Sequence, residues 1–102
     1  MEIAISVKQG EEQPMTYKFN KMPVVIGRSE DCDLCICHEA MPRELGTAWI
    51  EEATGRIRLE EKPNLTNPLV VNGRHIKGGI SAQSLTVEIG SLCIRLTGPK
   101  TD

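Results

Sequence analysis

The sequence has few aromatic residues and almost no excess of charge of either sign. Tyr17, Phe19 and Trp49 are the only aromatics among 102 residues, and 12 basic against 14 acidic residues leave a net charge of −2. A nucleic-acid surface shows a clustered basic excess, and single strands are held by base stacking on several aromatic rings. The composition therefore argues against nucleic acid as a partner.

Long apolar runs are also missing. No segment approaches the roughly 18 apolar residues that a membrane helix needs, and the N-terminal sequence MEIAISVKQGEEQP lacks the basic-then-apolar pattern of a secretion signal. We expect a cytoplasmic chain with no membrane segment of its own, although a larger parent protein could carry one. Its length suits a single domain, which we place at residues 1–97, with the polar tail 98–102 as the possible start of a linker.

Sequence signals for catalysis are absent as well. The chain has two histidines, and it contains neither a Gly-x-Ser-x-Gly motif nor a glycine-rich phosphate loop. Cys37 and His38 are adjacent, but neighbouring residues of a strand point to opposite faces and do not form a catalytic pair. We therefore expect no enzymatic activity and no cofactor.

Short stretches of alternating apolar and polar residues recur along the chain, separated by turn residues. A period of two is typical of strands with one buried face, and no segment keeps a helical period over a dozen residues. The pair Asn72-Gly73 predicts a tight hairpin turn. The pattern as a whole predicts an all-β sandwich or barrel. The predicted strands are residues 3–7, 16–19, 23–27, 34–37, 46–52, 56–61, 69–71, 74–76, 85–90 and 91–96.

The same alternation predicts which residues form the core. They are Ile3, Ile5, Val7, Val24, Ile26, Leu34, Ile36, Ile50, Ile57, Leu59, Val71, Leu85, Val87, Ile89, Leu92, Ile94 and Leu96.

Three of the four cysteines lie close together, in the pattern C-x-x-C-x-C-H formed by Cys32, Cys35, Cys37 and His38. The pattern looks metal-like, but a zinc site needs four ligands in tetrahedral geometry, and the paired second half of a zinc module is missing. Free cysteines are common as small buried hydrophobes. We therefore expect Cys35 and Cys37 to be reduced, metal-free and partly buried, and a cysteine-based zinc or thiol protein is the alternative.

The stretch GRSEDCDL, residues 27–34, follows an apolar strand and leads into another. With the later Asn67 and the VNGRHI hairpin, it resembles the forkhead-associated (FHA) domain over most of the chain, from about Met22 to Leu96. The resemblance implies a two-sheet β-sandwich of short, mostly antiparallel strands that binds phosphothreonine peptides through loops at one edge. Arg28 matches the family arginine that reaches the phosphopeptide, and a planar, always-charged guanidinium suits phosphate oxygens.

The sequence departs from the family motif at three places. The family block Ser-Arg-x-His is represented by Pro42-Arg43-Glu44-Leu45, so that the serine and the histidine are both lost. Proline has no backbone N–H and no hydroxyl, and Leu45 can fill space but cannot support the loops by hydrogen bonding. Asn67 is retained, but Pro68 replaces the glycine that follows it in the family. The phosphate site is therefore expected to be incomplete.

Plain structural interpretations compete with these assignments. Arg28 alone would be an ordinary surface arginine, Arg43 and Glu44 could form a solvated pair, and Asn67 before Pro68 could be a turn former. The resemblance nevertheless favours a non-catalytic interaction module, phosphate-independent or weakly phosphothreonine-dependent, that acts as a regulatory or scaffold domain of a larger protein. The resemblance also permits a place in a bacterial secretion system. The alternative is a functional phosphothreonine-peptide reader in kinase signalling. The predicted recognition residues are Arg28, Ser29, Arg43, Thr66 and Asn67.

Overall fold

Eleven short strands make up the regular structure of residues 2–62 and 69–98, the part of the chain that the computed structural model describes. In chain order they are β1 (Ile3–Gln9), β2 (Met15–Phe19), β3 (Val24–Gly27), β4 (Leu34–Cys35), β5 (Gly46–Ile50), β6 (Ile57–Glu61), β7 (Leu69–Val71), β8 (Arg74–Ile76), β9 (Gly79–Ala82), β10 (Ser84–Ile89) and β11 (Leu92–Thr97). These described residues contain no helix, and hence none that could cross a membrane.

The strands form two sheets that pack as a sandwich. One sheet has six strands in the order β2-β1-β11-β10-β7-β8, and the other has five in the order β4-β3-β5-β6-β9. All pairings are antiparallel except that of β3 with β4, which is parallel. The predicted all-β sandwich of mostly antiparallel strands is thus confirmed.

The core between the sheets is entirely apolar among the described residues, with no buried polar or charged side chain. Sixteen of the seventeen predicted core residues are buried, and Ile89 alone is half-buried, packed against the cluster from its edge. Three core residues that the pattern did not predict lie in strands or directly before one. They are Leu45, Ala48 and Leu69. Met41 joins them from the loop before β5, where no periodic pattern marks it.

Most strand ends lie within two residues of the prediction, but strand β4 is half as long as predicted and strand β9 is new. The predicted strand 34–37 pairs only over Leu34–Cys35, because the chain then closes a tight turn in which the N–H of His38 donates to the carbonyl of Ile36 at 3.0 Å. Strand β9 was not predicted, since Gly79–Ala82 shows no clear alternation. It forms by pairing with β6, which already pairs with β5.

The predicted hairpin is confirmed. Strands β7 and β8 pair antiparallel around Asn72 and Gly73, whose φ angles of 51° and 79° are those of a tight primed turn. The Asn72 side chain also accepts a hydrogen bond from the N–H of Thr86 at 2.8 Å, which ties the turn to β10.

Candidate functional site

The corner between β3 and the next loop begins at a glycine that leaves no room for a side chain. A Cβ on Gly27 would lie 2.9 Å from both the Cα of Glu44 and the Sγ of Cys32, and closer still to the carbonyl oxygen of Arg43. The loop of residues 28–33 therefore packs directly on the backbone of the loop of residues 36–45. Glycine is required here by this close approach of two backbones.

The carbonyl oxygen of Arg43 holds the two loops together. It accepts hydrogen bonds from the backbone N–H groups of Arg28 and Ser29, each at 3.1 Å, and the thiol of Cys32 donates to it at 3.6 Å. The N–H of Arg28 also reaches the carbonyl of Pro42 at 3.0 Å. The backbone donors at the start of the corner are consequently engaged within the protein.

A second set of contacts continues the corner to the end of β6. The N–H of Leu45 donates to the carbonyl of Ile26 at 2.8 Å, and the N–H of Lys62 donates to the carbonyl of Leu45 at 3.0 Å. The ammonium of Lys62 lies 2.7 Å from a carboxylate oxygen of Glu44. Its hydrogen bond and charge lower the pKa of Glu44, with a smaller contribution from Arg43.

Arg28, Ser29 and Arg43 border one open concavity of about 460 Å³. Both arginines are exposed, and Ser29 is half-buried. The hydroxyl oxygen of Ser29 accepts the N–H of Asp31 at 3.3 Å, which leaves the hydroxyl hydrogen free to donate. Glu30 and Asp31 complete the lining, so two acidic side chains accompany the two guanidinium groups.

Three of the five predicted recognition residues, Arg28, Ser29 and Arg43, thus lie at one concavity although they are up to 15 positions apart in sequence. Thr66 and Asn67 lie outside the described residues. The sequence interpretation assigned no role to Glu30 and Asp31. The acidic composition of the SEDCD segment was the available signal that the site would not be purely basic.

Two of the three departures from the family motif, Pro42 and Leu45, have different structural consequences, and the third, Pro68, lies outside the described residues. Pro42 is half-buried and contributes only its carbonyl, which accepts the N–H of Arg28. Leu45 is fully buried and belongs to the core cluster. An apolar side chain therefore stands where the family histidine would hydrogen-bond, and loop support comes from the backbone contacts of residues 43 and 45.

The three clustered cysteines divide into a buried one and an exposed pair, and Cys93 on β11 is half-buried. Cys32 is buried against the carbonyl of Arg43, and burial, followed by the nearby Glu44, raises its pKa. Cys35 and Cys37 are exposed, so the expectation that they are partly buried is wrong. Leu34 and Ile36 occupy the core face of this segment, and alternation turns both thiols outward.

The cluster C-x-x-C-x-C-H does not assemble as a four-ligand set. The Nδ1 of His38 accepts the N–H of Ala40 at 3.0 Å, and its Nε2 lies 3.5 Å from the hydroxyl of Ser91. Within residues 2–62 and 69–98, no three His, Cys, Asp or Glu side chains are grouped to hold a metal ion. Partial shielding from water, followed by the neighbouring Cys37, raises the pKa of the Cys35 thiol, which donates to the carbonyl of Arg28 at 3.2 Å.

No family model and no curated protein sequence matches the chain, whereas solved structures match it closely. The FHA domain of the CT664 protein from Chlamydia trachomatis is 14% identical with a TM-score of 0.79, covering 98% of this chain and 100% of that one. The FhaA FHA domain, solved in complex with the intracellular domain of Rv3910, is 17% identical with a TM-score of 0.70, covering 90% of this chain and 98% of that one.

A third similar structure is EmbR from Mycobacterium tuberculosis, solved in complex with a low-affinity phosphopeptide. It is 12% identical with a TM-score of 0.72, and the match covers 97% of this chain and 26% of the longer EmbR chain. The chain therefore has the FHA fold in a divergent sequence. At these identities the likeness is one of fold.

Proposed function

We propose that the chain is a non-catalytic protein-interaction module whose recognition surface is the concavity bordered by Arg28, Ser29 and Arg43. Its FHA fold supports an interaction role, since FHA domains of similar structure have been solved with a phosphopeptide or a protein domain. We assign Thr66 and Asn67 to the same surface on the family resemblance alone. The proposed contact with a protein or peptide partner depends weakly or not at all on threonine phosphorylation.

The observation that carries this proposal is the engagement of the carbonyl of Arg43. It takes the backbone N–H groups of Arg28 and Ser29, and Pro42 has no N–H to offer. A bound phosphate would be left with the side chains of Arg28, Arg43 and Ser29 as donors. Each charge-assisted hydrogen bond that is missing costs about 1.5–3 kcal/mol, which is roughly ten- to hundred-fold in affinity.

The charge of the concavity supports the same conclusion. Two arginines, Arg28 and Arg43, border the concavity together with Glu30 and Asp31, so the formal charges of these four side chains cancel at neutral pH. A phosphothreonine carries a charge of about −1.5 to −2. A concavity without net charge attracts this anion only slightly more strongly than it attracts an unphosphorylated threonine. A partner that presents both donors and acceptors matches the mixed lining better.

A phosphothreonine reader active in kinase signalling is the alternative within the same fold. Two exposed guanidinium groups and a free hydroxyl hydrogen at one concavity favour it. In either case we propose that the module is a regulatory or scaffold domain of a larger protein. The proposal that this larger protein belongs to a bacterial secretion system rests on the family resemblance alone.

The proposal is tested by screening a peptide library in two matched forms, phosphorylated and unphosphorylated on threonine, against the purified domain. We expect dissociation constants on the order of a millimolar for the phosphorylated peptides that carry no other recognised feature. The best binders should differ only a few-fold between the two forms. Arg28→Ala should weaken these binders about ten-fold, which is the loss of one hydrogen bond of roughly 1.4 kcal/mol.

Arg95→Ala is the matched control, because Arg95 is an exposed arginine on the outer face of β11, away from the concavity. Binding should survive this change, and thermal unfolding should be nearly unchanged in both variants. Micromolar binding that disappears on dephosphorylation would instead establish the phosphothreonine reader. Binders insensitive to Arg28→Ala would remove the concavity as the recognition surface.

A further inference from the structure

A second group of reactive side chains lies at the open side of the sandwich between β2 and β4, which are the edge strands of the two sheets. Met15 and Tyr17 from β2 border a recess of about 170 Å³ together with Cys35 and Cys37. All four side chains are exposed, and Met15 is 62% accessible, an unusual position for a large apolar residue. Three sulfur atoms thus surround one small recess.

The backbone presents the two thiols on one face. Ile36 is buried between them, and its N–H donates to the carbonyl of Gly27 at 2.8 Å. On the C-terminal side of Cys37, the N–H of His38 donates to the carbonyl of Ile36, and this tight turn fixes the backbone around Cys37. Cys37 is also near enough to influence the Cys35 thiol electrostatically and by hydrogen bonding.

A disulfide suits this pair poorly. Two residues of extended chain span about 6.6 Å between Cα atoms, near the upper end of the disulfide range of about 4.4–6.8 Å. An ion bound to both sulfurs at about 2.3 Å each bridges sulfur atoms up to about 4.6 Å apart. Metal coordination therefore accommodates the spacing with less change of the backbone.

We propose that Cys35 and Cys37, with Met15 as a third ligand, bind one soft metal ion of the Cu(I) type. Thiolate and thioether ligands select soft ions, and Cu(I) accepts such a small set of ligands. The Tyr17 hydroxyl donates to the Met15 sulfur at 3.8 Å and holds it at the recess. Each thiol releases its proton to solvent as the thiolate binds, and the exposed Cys35 thiol gives up its hydrogen bond to the carbonyl of Arg28. Such a site differs from the sequence-based prediction that the pair is metal-free, and the titration below decides between the two.

Zinc fits the recess less well. A structural zinc site has four ligands, but Cys32 is buried against the carbonyl of Arg43, and both ring nitrogens of His38 face partners within the protein. The recess offers two thiols and a thioether. The carboxylate of Glu12 also borders it, but no third His, Cys, Asp or Glu of residues 2–62 and 69–98 is grouped with the two thiols as a metal ligand. Thioethers bind soft ions in preference to zinc.

The test is a titration of the reduced protein with Cu(I) under anaerobic conditions, in competition with a chromogenic Cu(I) chelator. We expect one ion per chain. The double variant Cys35→Ser/Cys37→Ser should lose the one-to-one binding, because both thiolate ligands are removed. Met15→Leu should weaken binding by a smaller factor, about ten-fold, because the two thiolates remain.

Cys93→Ser is the matched control, since Cys93 is a half-buried cysteine on β11 that does not border the recess. It should bind Cu(I) like the unaltered protein, and circular dichroism should show the same fold in every variant. Retained binding in the double variant, or equal loss in Cys93→Ser, would overturn the site. Tighter binding of Zn²⁺ than of Cu(I) would also contradict it. So would a stoichiometry of one ion per two chains together with the mass of a dimer in light scattering.

Discussion

Leu45 joins two regions of the molecule that are held together in different ways. Its side chain is fully buried in the apolar core, while its backbone N–H and carbonyl bond to Ile26 and Lys62 at the corner that follows β3. In the core, side chains meet side chains. At the corner, the carbonyl of Arg43 gathers the N–H groups of Arg28 and Ser29, and the side chains of both arginines extend into solvent.

This difference predicts which substitutions each region tolerates. Core positions depend on the volume and polarity of the side chain, because a closely packed interior does not fill a gap. Corner positions depend on the path of the backbone, because carbonyl and N–H groups make the contacts. Exposed side chains at the corner, such as those of Arg28 and Arg43, are therefore freer to change than the buried side chain of Leu45.

The largest expected effect is that of Leu45→Ala. Removing a fully buried leucine side chain costs about 2–5 kcal/mol through lost burial and a cavity. Arg43→Ala is the control two positions earlier, and an exposed side chain should change stability by no more than about 0.5 kcal/mol. Urea denaturation measures both. Equal losses in the two variants would abolish the distinction between core and corner.

Leu45→His restores the family residue and sharpens the same comparison. In this chain the imidazole would enter an entirely apolar cluster, so we expect a loss of stability rather than a gain in phosphopeptide binding. Thermal unfolding and peptide titration of the variant measure the two effects. Improved phosphopeptide binding at unchanged stability would mean that a partner for the histidine exists at this position.

Gly27→Ala should have the next largest effect, about 1–3 kcal/mol. The added Cβ meets the backbone of Arg43 and Glu44, which cannot move without opening the corner. Gly98→Ala is the control, because its nearest neighbour lies at 3.5 Å in ordinary contact. Urea denaturation should separate the two variants, and indistinguishable midpoints would show that the corner backbone yields easily.

Asp33→Ala tests a smaller contribution at the margin between the two regions. The Asp33 carboxylate accepts a hydrogen bond from the N–H of Val25 in β3 at 2.8 Å. Losing this hydrogen bond should lower the free energy of unfolding by about 1 kcal/mol, because water partly replaces the carboxylate as the acceptor. Asp31→Ala removes an exposed carboxylate with no such backbone contact and should be close to neutral. An unchanged melting temperature of the Asp33→Ala variant would show that this hydrogen bond does not stabilise the fold.

The smallest effect concerns the pair of Glu44 and Lys62. Lys62 lowers the pKa of Glu44 from its ordinary value of 4.5, so the pair stabilises the fold above about pH 4.5 and that contribution disappears as pH falls further. Both side chains are about half exposed, and solvent screens the interaction. Lys62→Met should slightly reduce the loss of unfolding free energy that occurs as the pH falls. If the pH dependence of the unfolding free energy is the same in the variant, the pair does not contribute to stability.

Strand positions and most of the core followed from local pattern. Alternation places every second residue of a strand on one face, so residues such as Ile57 and Leu59 were assigned to the core without any knowledge of their partners. The pattern failed where partners decide the outcome. Strand β9 exists because β6 offers an open edge, and Met41 is buried by the loop that crosses the end of the sandwich.

By itself, the sequence determined the all-β class, the hairpin at Asn72-Gly73 and the likeness to the FHA domain, because periodicity, turn preference and motif order are properties of neighbouring residues. Only the tertiary structure decided that the backbone N–H groups of Arg28 and Ser29 are bound by the carbonyl of Arg43, that Glu30 and Asp31 border the same concavity, and that Cys35 and Met15 border one recess. Those facts depend on which backbone atoms meet across long sequence separations, and hydrogen bonds between such atoms leave no pattern in the order of side chains.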